Sequence, residues 1–86
     1  MKKEYIIAFS SFYKAMYAQE KLQAGNYRAL LKRLPPELIK SCGYALYLRT
    51  GAISEVRALL EENGILPKAV FRIDTEDGKD VYRRIS

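Results

Sequence analysis

No uninterrupted apolar run in this chain exceeds five residues, a length reached only by Tyr5-Ile6-Ile7-Ala8-Phe9 and Tyr44-Ala45-Leu46-Tyr47-Leu48. A helix that crosses a bilayer needs roughly 20 such residues, so the sequence predicts no membrane span and a fold built from short elements. Met1-Lys2-Lys3-Glu4 carries charges like those of an export signal, but the apolar stretch behind it breaks at Ser10-Ser11 and is too short for one. A chain of 86 residues supports one hydrophobic core rather than two. With 49% apolar and 29% charged residues, that core should form.

The punctuation of the chain sets the order of elements. Glu4 to Phe9 is rich in β-branched and aromatic residues and predicts a buried strand. Ser10 or Ser11 then caps a helix whose apolar positions are Phe12, Ala15, Met16, Ala18 and Leu22, and Gly25-Asn26 stops it. Tyr27 to Leu34 alternates between an apolar face (Tyr27, Ala29, Leu31) and a second face (Arg28, Leu30, Lys32), which predicts a half-buried strand ended by Pro35-Pro36. Pro35 to Gly43 is a loop, with one helical turn over Glu37-Leu38-Ile39-Lys40. Tyr44 to Arg49 predicts a third strand. A second helix follows over 52–63 with Ile53, Val56, Leu59 and Leu60 as its stripe, and Gly64 and Pro67 terminate it. Ala69 to Ile73 closes the pattern as a fourth strand.

Strand, helix, strand, strand, helix, strand with right-handed crossovers predicts an α+β ferredoxin-like plait, a four-stranded antiparallel sheet with both helices on one face. Residues 1–74 form the single domain, and 75–86 read as a polar C-terminal tail whose Val81, Tyr82 and Ile85 are able to dock on a sheet edge. One face of such a sheet is left open, which makes it a surface for a homodimer or another partner.

The side-chain inventory excludes much chemistry. There is no histidine and only one cysteine, Cys42. Within this chain, Cys-His pairs, Ser-His-Asp triads, histidine-containing zinc sites, CxxC redox centres and internal disulfides are therefore ruled out. A lone thiol fits a reducing, cytoplasmic setting. The net charge of +5 favours solubility and acidic partners in general. Nucleic-acid binding is not expected: Lys32-Arg33 and Arg83-Arg84 are too short for a basic motif, and the third strand lacks the aromatic signature of RNA-binding sheets. Asp74, Glu76, Asp77, Gly78 and Asp80 do not keep the spacing of a calcium loop. No metal and no cofactor is expected.

The most informative stretch is Pro35-Pro36-Glu37-Leu38-Ile39-Lys40-Ser41-Cys42-Gly43-Tyr44-Ala45-Leu46, in which prolines lead into a small-residue thiol site that returns at once to a strand. With the opening strand, Gln19-Glu20-Lys21-Leu22, Glu61-Glu62-Asn63-Gly64-Ile65 and Phe71-Arg72-Ile73, this stretch resembles the selenium/sulfur carrier-like family of small bacterial proteins. Family members often carry a basic residue where this chain has Pro36. The resemblance implies that Cys42 accepts sulfur or selenium as a persulfide or selenosulfide, with Ser41 and Gly43 assisting, between a donor protein and an acceptor protein. Lys40 and Arg33 are candidates to lower the thiol's pKa. The competing reading takes Cys42 as a small buried hydrophobe and the chain as a non-catalytic interaction or regulatory module. An enzyme is less expected than either, because no general acid/base pair is recognisable.

Overall fold

The structure, a computed structural model, describes residues 2–35, 38 and 43–86. In chain order the elements are β1 (Lys3–Phe9), α1 (Phe12–Ala24), β2 (Ala29–Arg33), β3 (Tyr44–Thr50), α2 (Ile53–Glu62), β4 (Ala69–Glu76) and β5 (Lys79–Arg84). The strands form one antiparallel sheet in the order β2-β3-β1-β4-β5. The fold is α+β, as expected, but among the described residues the sheet has five strands rather than four. The correction lies in the segment read as a tail. Asp77 and Gly78 take left-handed backbone angles, φ 51° and 76°, which is the geometry of a two-residue hairpin turn. That turn folds residues 79–84 back on β4, with Glu76 opposite Lys79 and Phe71 opposite Arg84.

Both helices end in the same way. Tyr27 donates its backbone N–H to the Leu22 carbonyl at 2.8 Å and Asn26 to Gln23 at 3.0 Å. After α2, Ile65 donates to Leu60 and Gly64 to Glu61, each at 2.9 Å. The left-handed residues that allow this are Asn26 and Gly64. In each case the chain turns sharply enough for the residue beyond the turn to join the core beside the helix it has just left. Ser11 caps α1 by accepting from the Lys14 N–H at 3.2 Å.

The core lies between the helices and one sheet face: Tyr5, Ile7, Phe9, Leu46, Leu48 and Val70 from the strands meet Ala15, Ala18 and Leu22 of α1 and Val56 and Leu60 of α2. On α1 only the two alanines and the leucine are fully buried, whereas Phe12 and Met16, which share the predicted stripe, are more than 40% exposed. Small residues let the helix approach the sheet closely, and the two larger side chains are left at the margin of the contact.

The other sheet face is not bare. Ile6, Ala8, Leu34, Ala45 and Ala69 form a second buried cluster, flanked by Leu38, Tyr47, Phe71, Ile73 and Tyr82. Both Ile6 and its neighbour Ile7 are completely buried although they point to opposite faces.

A charged network ties β5 to β4. Arg72 and Arg83 stand directly opposite each other, a repulsive pairing by itself. Asp74 accepts from Arg72 Nη2 at 3.1 Å and from Arg83 Nε at 2.9 Å, and Arg83 reaches Glu76 at 2.6 Å. The Arg72 hydrogen bond is the main reason that the Asp74 carboxyl is held below the usual carboxylate range; partial burial opposes it, and the charges of Arg72 and Arg83 reinforce it. Because the folded pKa is depressed, this contribution is complete above the unfolded carboxyl pKa of about 3.9 and is lost as pH falls through the lower folded value. The urea midpoint of the wild type should exceed that of Asp74→Asn at neutral pH, and the gap should close below about pH 4. A gap that stays constant with pH would show that the network adds nothing through charge.

Candidate functional site

The loop that carries the thiol leaves β2 and returns to β3 through a closed neck. Arg33 opposite Tyr44 is the last pair of the β2–β3 ladder, and one step further Leu34 donates its N–H to the Gly43 carbonyl at 3.2 Å. Leu34 and Gly43 are both buried. Leu38, the described residue within the loop, donates its N–H to the Pro35 carbonyl at 3.0 Å. Of the predicted site residues, Gly43 is thus a neck residue whose carbonyl fastens the loop to the sheet. Cys42 and Ser41 lie outside the described residues, as do Lys40, Pro36 and most of the expected helical turn.

The described surroundings of the neck are aromatic and cationic. The Phe12 ring meets Tyr44 edge-on at 5.1 Å between centroids and Tyr13 at 6.1 Å. The Arg33 guanidinium lies 5.8 Å above the Tyr44 ring, a favourable placement for a cation. Arg33, Tyr44 and Phe9 form one cross-strand row over β2, β3 and β1, so the sheet register itself delivers a positive charge to the place where the loop begins.

From the neck, α1 presents an apolar surface that the sequence did not single out. Tyr13 is 78% exposed, and Phe12, Met16 and Tyr17 are exposed beside it. Part of the signal was available, since residues 12, 13, 16 and 17 are adjacent on a helical surface and Tyr13 and Tyr17 fall outside the predicted stripe. Among the described residues, no group of His, Cys, Asp or Glu is arranged to hold a metal ion, and no helix is long and apolar enough to cross a membrane.

Fold and loop together define a class: a small α+β domain that mounts its only cysteine in a strand-to-strand loop closed at the neck. Residues 4–72 match the family model described as "Putative Se/S carrier protein-like", and the chain belongs to that family. No curated protein matches the chain.

Proposed function

We propose that the protein carries sulfur or selenium on Cys42. The observation that carries this reading is the family match, whose span from 4 to 72 takes in the chain's only cysteine. In the transfer, the Cys42 thiolate attacks the terminal sulfur of a donor persulfide. The donor's S–S bond breaks, its inner sulfur departs as thiolate, and Cys42 becomes the persulfide, with no net oxidation or reduction. The selenium case is the same with a selenosulfide. A chain without a second cysteine cannot discharge this cargo by closing an internal disulfide, which suits a carrier that hands its cargo to an acceptor protein in the reducing cytoplasm. Gly43 shapes the loop, Ser41 assists the transfer, and the positive charge of Arg33 at the neck favours the thiolate. In this reading the two helices and the strand order β2-β3-β1-β4 support a ferredoxin-like plait on residues 1–74, to which β5 adds an edge.

The test compares the pH dependence of Cys42 alkylation in the folded and the unfolded protein, followed by mass spectrometry after exposure to a persulfide donor. The unfolded thiol should titrate near about 8.5. Folded protein that reacts at neutral pH at least as fast as the unfolded chain, and gains the mass of one sulfur atom that Cys42→Ser does not gain, is the expected result. Protection from alkylation until unfolding would sink the carrier reading. It would leave the interaction module, which the exposed Phe12, Tyr13, Met16 and Tyr17 favour.

A further inference from the structure

The sheet face opposite the helices holds an open groove of about 440 Å³ running across β2, β3 and β1. Among the described residues, four cations, Lys2, Arg28, Lys32 and Arg49, line it against one carboxylate, Glu4. All four are exposed. Leu30, 54% exposed, and the half-buried Ile73 give the groove an apolar lining between the charges. The register explains the clustering. Leu30, Tyr47 and Ile6 stand in one cross-strand row, and Arg49 faces Glu4 in the next. Residues spread from Lys2 to Ile73 in sequence are therefore brought side by side.

We propose that this groove docks an acidic, partly apolar segment of a partner protein. Charge complementarity names the occupant: a groove with four cations to one carboxylate selects an anionic partner and steers its approach. A second copy of this chain would bring an equally basic groove, so self-association through this face sets like charges together. The groove is open and shallow rather than enclosed, which suits a polypeptide better than a small molecule that must be largely buried. Single-stranded nucleic acid is the other polyanion, but its bases need aromatic platforms. The one tyrosine of the groove's β3 wall, Tyr47, already has the Lys32 ammonium 5.3 Å over its ring and donates its hydroxyl to the Arg33 carbonyl at 3.0 Å. Leu30 supplies the apolar anchor that a protein partner uses and a phosphate chain does not. The proposal stands on the groove alone and needs no cargo on Cys42.

Fluorescence anisotropy with a labelled glutamate-rich peptide containing leucine, and in parallel with labelled oligo-dT, tests it on the full chain. The triple variant Arg28→Gln, Lys32→Gln, Arg49→Gln should weaken peptide binding about tenfold or more. An equal charge change elsewhere, Lys21→Gln, Arg57→Gln, Lys68→Gln, should weaken it less than about threefold. Leu30→Ala, which leaves the charge untouched, should weaken it about threefold. Equal losses in the two triple variants, no effect of Leu30→Ala, no peptide binding at all, or tighter binding of oligo-dT at the same residues would each overturn the proposal. Persulfide loading of Cys42 should be the same in the groove variants as in the wild type, so failure here is distinct from failure of the carrier reading.

Discussion

Ending the chain after Glu76 is expected to lower the unfolding free energy by about 3 kcal/mol and to make the protein prone to aggregate. The six cross-strand pairs between β4 and β5 are worth roughly 0.2–1 kcal/mol each. Further contacts go with them. Val70 accepts from the Ile85 N–H at 2.8 Å, Tyr82 packs on the second apolar cluster, and Asp74 would lose Arg83. The truncation also turns β4 into an edge strand, with Phe71 and Ile73 beside unpaired backbone groups, the kind of edge that recruits other chains. In the intact protein β5 guards that edge with Lys79, Asp80, Arg83 and Arg84. Urea unfolding and light scattering of the truncated chain check both parts. An unchanged midpoint would mean that β5 lies on the sheet without supporting it.

Ile6→Ala is expected to cost about 2–5 kcal/mol, as much as Ile7→Ala. On a sheet with one bare face the two neighbours would differ widely, because only the side chain beneath the helices would leave a cavity. Here both are fully buried, Ile7 among the helices and Ile6 in the cluster with Ala8, Ala45 and Leu34. Chemical denaturation of the two variants decides the matter. A cost below about 1 kcal/mol for Ile6→Ala beside a large cost for Ile7→Ala would show that the second cluster is no core.

The parts of this fold that were legible in the sequence are those written in local chemistry. Ser11, Asn26 and Gly64 mark helix ends, and the alternation of Ala29, Leu30, Leu31 and Lys32 fixes which face of β2 is buried. The fifth strand was missed because the polar residues of 75–86 outweighed a signal that was present: Asp77-Gly78 between alternating residues is a strong short-range sign of a hairpin. Val81 and Tyr82 are only half-buried, so the hydrophobic pattern alone carried little weight there. The exposure of Phe12 and Met16 depends on how closely α1 approaches the sheet, a tertiary distance that helical spacing does not contain. The site divides in the same way. Cys42, Ser41 and Gly43 could be named from composition and resemblance, and the neck that closes on Gly43 follows from the pairing of β2 with β3. The basic groove, by contrast, joins Lys2, Arg28 and Arg49, which only the register of three strands makes neighbours.

The strand order also governs how the chain must come together in time. β1 is central, with Ala8 paired to Ala45 on one side and to Ala69 on the other. Pairings so distant along the chain form slowly, since long loops must close before they are rewarded. During synthesis Tyr5-Ile6-Ile7-Ala8-Phe9 is made before either of its partner strands and stays without one of its two ladders until Ala69 and the residues after it have been made. One of the two longest apolar runs of the chain is thus the strand that waits longest for its second partner. Charged residues flanking such a strand oppose its pairing with other chains, and Lys2, Lys3 and Glu4 stand immediately before it.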